Sequence, residues 1–237
     1  MTKQILAIGG ASFASDPGNP LLDLYFLKLT GKSTPKVCFV DTASGNDPAM
    51  ARLKFYETYT QFDCKPTHLN LFKAPTADLR SFILEQDAIY VGGGNTKNLL
   101  VLWREWGLDK AMREAWEQGV VLGGVSAGAL CWFECGTTDS IPGPLTALYC
   151  LGFLQSSYSP HYDSEPTRRP IFHRMIQSGE LLPTGLACDD GAAAHFVGDE
   201  LQRIVSSRPN AKGYRVRKTT NGTEETALET TYLGAAT

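Results

Sequence analysis

The chain has 237 residues, 43% of them hydrophobic and 20% charged, with a formal net charge of -3. That length and apolar share suit one large domain over residues 1–237 with a sizeable core. The charge gives no electrostatic reason to expect nucleic acid or an anionic membrane as partner, and no apolar run approaches the roughly 20 residues of a membrane span.

The rhythm along the chain is a short apolar run, a loop, then an amphipathic stretch. Residues 3–9 read as a first strand, with neither the length nor the cleavage site of a signal peptide, so a cytoplasmic protein is expected. Residues 21–29 read as a helix, and KVCFVD at 36–41 as a second strand rich in β-formers. Over 49–62, Met50, Leu53, Phe55, Tyr56, Tyr59 and Phe62 recur at helical spacing. A third strand is expected over 67–71, then a helix over 76–85 with Thr76 as its N-cap. The strand 88–91 runs into Gly92-Gly93-Gly94-Asn95. Helices follow over 96–104 and 108–118, then a fifth strand over 120–125. Strands this apolar are covered on both faces, and helices between them imply parallel neighbours with right-handed crossovers. The first half therefore predicts an α/β fold, a mostly parallel sheet with helices on both faces.

The second half changes character. Residues 151–154 are strand-like and 166–177 helical. Short strands are expected over 185–188, 192–196, 202–206 and 213–217, and Asn221-Gly222 signals a hairpin. These read as extra strands completing the same domain. The six cysteines, Cys38, Cys64, Cys131, Cys135, Cys150 and Cys188, are scattered. Cys131 and Cys135 have no matching second pair, so reduced thiols are expected rather than a zinc site, and no metal or cofactor is called for.

Gly124-Val125-Ser126-Ala127-Gly128 matches G-x-S-x-G between an apolar strand and good helix formers. A nucleophile elbow needs this pattern: the serine leaves the strand in a strained conformation, and small neighbours give clearance. The alternative is a tight turn with a structural serine. The glycine run 92–94 also follows a strand, and its N–H groups can converge on an anion or a developing oxyanion. Ligands of open parallel sheets bind beyond the carboxyl ends of strands, so both loops are expected to face one crevice.

A serine nucleophile needs a base, usually histidine. Of the four histidines, His68 begins a strand, His173 sits in a helix and His195 lies in an apolar strand. His161, in a loop after Ser159-Pro160, is the best placed. The carboxylate to orient it comes from Glu134, Asp139, Asp163, Asp189 or Asp190. Asp190 lies at a strand end and is preferred, with Asp139 second.

With these residues in view, the chain resembles the dipeptidase E (α-aspartyl dipeptidase) family of serine peptidases, with cyanophycinases as more distant relatives. The matching pieces are GGGNT at 92–96, GVSAGA at 124–129, SPHYD at 159–163 and CDDGAA at 188–193. The resemblance implies a fold like that of class I glutamine amidotransferases, with Ser126 as nucleophile and His161 as base. Asp190 stands where the family commonly has glutamate, one methylene longer. The N–H of Ala127 and that of Gly93 or Gly94 become the oxyanion donors. The family's preference for dipeptides with N-terminal aspartate requires a cation, for which Arg168 and Arg169 are the candidates, with Asn95 as a further substrate contact. The alternative for either arginine is a solvated helix start. A small peptide substrate and a monomer or homodimer are expected. A related hydrolase of β-aspartyl or other amide linkages, or a non-catalytic ligand-binding module, are the rival readings.

Overall fold

The structure, a computed structural model, describes residues 2–45 and 49–234. Its first half alternates strand and helix: β1 (Gln4–Ile8), α1 (Leu21–Lys28), β2 (Lys36–Val40), α2 (Ala49–Tyr59), β3 (Lys65–Leu69), α3 (Leu79–Leu84), β4 (Ala88–Val91), α4 (Thr96–Glu105), α5 (Leu108–Glu117), β5 (Val121–Val125) and α6 (Ala127–Leu130). The second half is rich in strands: β6 (Phe133–Thr138), β7 (Thr146–Tyr149), β8 (Leu154–Ser159), α7 (Arg168–Ser178), β9 (Thr184–Cys188), β10 (Ala192–Val197), β11 (Glu200–Ser206), β12 (Gly213–Thr219), β13 (Gly222–Ala227) and β14 (Thr230–Tyr232).

Two sheets result. The larger has the order β14-β11-β10-β1-β5-β4-β2-β3, and its β1, β5, β4, β2 and β3 are parallel. The smaller has the order β13-β12-β9-β8-β6-β7, with β6, β8 and β9 parallel at its centre. The expected extra strands are thus divided. β10 and β11 extend the large sheet through antiparallel pairs, while β9 and β12 join strands 133–138 and 154–159 in a sheet of their own.

The parallel strands are buried because each supplies apolar side chains to both faces in alternation. Ile5 and Ala7 of β1 pack with Trp103, Leu108 and Met112 on one side. Leu6 and Ile8 pack with Phe26, Phe55 and Tyr59 on the other. Phe13, in the loop after β1, sits amid aromatic rings on this second face, with ring centroids 5.6 Å from Phe39, 5.7 Å from Tyr59 and 5.3 Å from Tyr90.

That aromatic layer also holds a carboxyl group. Asp23 of α1 is 2% exposed and accepts a 2.9 Å hydrogen bond from the Tyr59 hydroxyl. Burial outweighs that bond and pushes its pKa up to about 7. A carboxyl raised on folding gives stability that is full below its unfolded value and lost as pH rises through its folded one. Asp23→Asn is therefore expected to stabilise the protein at pH 8 by up to about 4 kcal/mol. It should also flatten the dependence of stability between about pH 4 and 8. Urea unfolding of both proteins at the two pH values measures this, and equal midpoints at pH 8 would contradict it.

Three boundaries differ from expectation for identifiable reasons. α3 begins at Leu79, capped by Asp78, whose carboxylate accepts from the Ser81 N–H at 3.0 Å. Thr76 instead accepts from the Asp78 N–H at 3.1 Å and shapes the turn before the cap. β3 starts at Lys65 because the Lys65 N–H already reaches the Pro35 carbonyl at 2.8 Å. β8 occupies 154–159 rather than 151–154: Ser157 and Ser159 face the interior and bond Cys135 and Thr137 of β6 at 3.3 and 2.8 Å.

Candidate active site

Ser126 follows β5 and opens α6 with φ of 55°, a left-handed conformation that an ordinary residue adopts only when its surroundings impose it. Those surroundings are main chain. The Ser126 N–H donates to the Ile8 carbonyl at 3.1 Å, and its own carbonyl accepts from the N–H of Ala129 and Leu130 at 3.0 and 2.8 Å. The flanking glycines are required by close approach: a Cβ at Gly124 or at Gly128 would collide with the Val91 carbonyl. The result is a serine hydroxyl lifted clear of the sheet at the carboxyl end of β5. The N–H of Ala127 lies in the first turn of α6, where no intrahelical acceptor exists. Gly93 runs alongside, since a Cβ built on it would stand 3.4 Å from that of Ser126. Gly94, at φ 132°, packs on the Ala43 carbonyl, and the Asn95 N–H bonds that carbonyl at 2.8 Å.

The smaller sheet supplies the other two groups. His161 follows β8, and its φ of 53° turns the ring back over the end of β1. The neighbouring main chain holds it: His161 N–H donates to Gly9 at 3.3 Å, and Tyr162 N–H to Cys188 at 3.2 Å. His161 Nε2 lies 2.9 Å from Ser126 Oγ, and Nδ1 lies 2.7 Å from Asp190 Oδ1. Asp190 follows β9, and its N–H donates to the Asp163 carboxylate at 2.8 Å. Asp190, one methylene shorter than the glutamate the resemblance implies at this place, still reaches the imidazole, with its main chain bridged to Gly10. Burial would raise the Asp190 pKa, but the His161 hydrogen bond and charge, with help from Ser164 and Arg208, hold it below the usual carboxylate value.

The remaining candidate acids point elsewhere. Asp189 is 4% exposed and accepts from the Lys212 N–H and the Tyr214 hydroxyl at 3.0 and 3.3 Å. Asp163 orients Asp190 rather than the imidazole. Glu134 accepts from Gln155 at 3.3 Å, and Asp139 is exposed beyond β6. The other histidines are also engaged: His68 with Tyr56, His173 with Thr223 and Glu225, and His195 with Tyr25 and Gln4. Burial lowers the His195 pKa to about 4, as befits a neutral core imidazole.

The expected substrate contacts are not gathered with the serine. Asn95 is the N-cap of α4: its Oδ1 accepts from the Asn98 N–H and its Nδ2 donates to the Ser140 carbonyl, both at 2.9 Å. Arg168 is 2% exposed and bonds Glu165 at 2.7 Å and the Thr137 carbonyl at 3.3 Å, so it is neither solvated nor free. Arg169 lies over the rings of Tyr162 and Tyr214 and pairs with Glu225 at 3.5 Å. The residues that sequence reasoning missed are in the loop after β1. A Cβ on Gly10 would overlap Asp190 Oδ1 and stand 2.6 Å from His161 Nδ1, so the absence of a side chain there makes room for the acid–imidazole pair. Ala11 has φ of 55°, the third non-glycine residue in that region among the described residues. The signal was available: Gly9-Gly10 directly follows an apolar strand.

Ser126, His161, Gly93 and Gly94 line one open cavity of about 310 Å³, which the loop 11–15, Phe39 and Ser44 also line. A hydroxyl, an imidazole and a carboxylate in hydrogen-bonded series at the strand ends of an α/β sheet form the constellation of a hydrolase. The comparisons make this specific. The profile of peptidase family S51 matches residues 5–204, and the chain belongs to that family. It is 53% identical over 98% of its length to the whole of the peptidase YgaJ of Bacillus subtilis (strain 168), itself described as uncharacterized. It is 26% identical over 74% of its length to peptidase E of Streptomyces coelicolor, of which the match covers 79%. The crystal structure of a peptidase from an acI-B1 Actinobacterium superposes with a TM-score of 0.73 over 96% of this chain and 95% of that one, at 15% identity. The fold is of the class I glutamine amidotransferase type, and among the described residues no helix is long and apolar enough to cross a membrane.

Proposed function

We propose that this peptidase is of the serine type and hydrolyses short peptides, dipeptides among them, through Ser126, His161 and Asp190. The observation that carries the reading is the unbroken series from Ser126 Oγ to His161 Nε2 at 2.9 Å and from His161 Nδ1 to Asp190 Oδ1 at 2.7 Å. Ser126 Oγ attacks the peptide carbonyl carbon while its proton passes to His161 Nε2. The carbonyl oxygen becomes an oxyanion received by the N–H groups of Ala127 and of Gly93 or Gly94. The carbon–nitrogen bond then breaks, and His161 gives its proton to the departing amine. Water, deprotonated by the same imidazole, splits the acyl-enzyme and restores the Ser126 hydroxyl. Asp190 fixes the tautomer that leaves Nε2 free to accept, and its lowered pKa keeps it ionised while the ring takes up charge.

A fluorophosphonate should label Ser126, identified by peptide mapping, and Asp190→Asn should slow that labelling by about 10³-fold or more, because the amide favours the wrong tautomer. A folded protein that resists the reagent would defeat the serine-type reading. Labelling at an unchanged rate in Asp190→Asn would remove Asp190 from it. The resemblance also implies a preference for N-terminal aspartate, which requires a cation at the crevice, and both candidate arginines have other partners. Arg168 is held by Glu165 and the Thr137 carbonyl of β6, and Arg169 is taken up by Glu225 and two aromatic rings.

A further inference from the structure

We propose, on the reading of His161 as the base, that Glu225 of the β12–β13 hairpin is a positioning residue for the catalytic imidazole, acting through the Tyr162 hydroxyl. His161 is held at φ of 53°, a left-handed conformation that an ordinary residue keeps only under constraint from its surroundings. The next residue, Tyr162, supplies part of that constraint, being 2% exposed and fixed at both ends. Its N–H donates to the Cys188 carbonyl at 3.2 Å, and its hydroxyl donates to Glu225 Oε2 at 2.6 Å. Relaxing the His161 backbone would carry Tyr162 with it and break a bond at one end or the other, which is costly for a buried group.

Glu225 is itself built into place. Thr223 and Glu225 alternate with the exposed Glu224 along β13, so they share the face turned towards α7. On α7, Arg169 and His173 are four residues apart and lie on one face. His173 Nε2 lies 2.9 Å from Glu225 Oε2 and its Nδ1 2.7 Å from Thr223 Oγ1, while Arg169 pairs with Glu225 Oε1 at 3.5 Å. Burial would raise the Glu225 pKa, but the hydrogen bonds from Tyr162 and His173 and the charges of Arg169 and His173 hold it below the usual carboxylate value. It therefore meets the Tyr162 hydroxyl as an ionised acceptor, the stronger kind. The same hairpin reaches the acid. Tyr214 of β12 donates to Asp189 Oδ2 at 3.3 Å, one residue before Asp190, and the Arg169 guanidinium lies over the Tyr214 and Tyr162 rings at 4.7 and 4.8 Å. The chain neighbours of both His161 and Asp190 are thus tied to one hairpin, although no residue from 213 to 227 lines the cavity beside Ser126. Glu225 also lies beyond residues 5–204, which the family profile matches.

Glu225→Ala and Tyr162→Phe are each expected to lower kcat on a cleaved dipeptide by about 10-fold or more, counted per serine titrated with a fluorophosphonate, with KM held within about 3-fold. A residue that only held the fold together would reduce the number of titratable sites and leave kcat per site unchanged. If Glu225→Ala folds poorly, Tyr162→Phe, which keeps the ring and its packing, carries the comparison. Both changes act on one bond, so the double variant should be no slower than the worse single variant within a few-fold. Glu224→Ala, on the solvent face of the same strand, should match the wild type. The proposal is overturned by a kcat per titrated serine within about two-fold of wild type in the folded variants, by losses that multiply in the double variant, or by an equal loss in Glu224→Ala. A second readout needs no turnover. The Nδ1–H resonance of 15N-labelled His161, assigned by its disappearance in His161→Gln, is expected to exchange faster with water in Glu225→Ala and Tyr162→Phe, because the 2.7 Å contact with Asp190 loosens. Should the wild type prove inert and resist the label, the nucleophile reading falls, and the exchange rate still decides the role of Glu225: a faster rate in both variants supports it, and an unchanged rate overturns it.

Discussion

Ser126→Ala is expected to lower kcat on a cleavable dipeptide by at least about 10³-fold while leaving the fold in place. The asymmetry follows from which atoms do what. The main chain at residue 126 is held by three backbone hydrogen bonds, to Ile8, Ala129 and Leu130, none of which uses the hydroxyl. Alanine bears the positive φ as serine does, because each carries a Cβ and neither has glycine's freedom. The Oγ, in contrast, bonds only His161 Nε2 among the described residues, at 2.9 Å, and removing it leaves the imidazole with nothing to activate. What survives is the catalysis supplied by the oxyanion donors and by substrate positioning. Steady-state kinetics with a parallel melting curve separates the two effects. A Tm near that of the wild type with turnover gone is the expected pair of results. Turnover retained in this variant would sink Ser126 as the nucleophile.

How much of this was legible in the sequence depends on how local each signal is. The elbow was legible because Gly124, Ser126 and Gly128 act within one turn, and each glycine answers a contact with the main chain of β4. The parallel half of the large sheet was legible because β4, β5 and all of β2 after Lys36 lack polar side chains other than the Tyr90 hydroxyl, and strands buried on both faces leave that pattern. The strand that precedes His161 lies later than the apolar run at 151–154 suggests: LQSSYS is polar, yet Ser157 and Ser159 are buried and satisfied by side chains on β6. Hydropathy cannot register a hydroxyl whose partner lies on another strand. The arginines show a related limit. Arg168 and Arg169 follow His161 closely in the chain, but Glu165 draws one inward and Glu225, near the far end of the chain, draws the other away from the crevice. Closeness in sequence fixes neither direction nor partner.

The loop after β1 carries the second large effect, at a residue with no side chain at all. Gly10→Ala is expected to reduce kcat by about 10²- to 10³-fold with far less change in KM. Gly10 has no positive φ, so alanine suits its backbone, and its main chain keeps the bond from the Gly191 N–H to its carbonyl at 2.9 Å. The new methyl would fall on Asp190 Oδ1 and crowd His161 Nδ1, so the 2.7 Å contact between them has to open. The ring then loses the group that fixes its tautomer and sits askew to Ser126. This loss and that of Asp190→Asn act on one contact, so they should not add. The double variant Gly10→Ala with Asp190→Asn is expected to be no slower than the worse single variant within a few-fold. If the two losses multiplied instead, Gly10 would be acting through something other than the acid–imidazole pair. A Gly10→Ala enzyme of full activity would mean that the end of β1 yields easily, and that the bridge between Gly10 and Asp190 does not fix where the carboxylate stands.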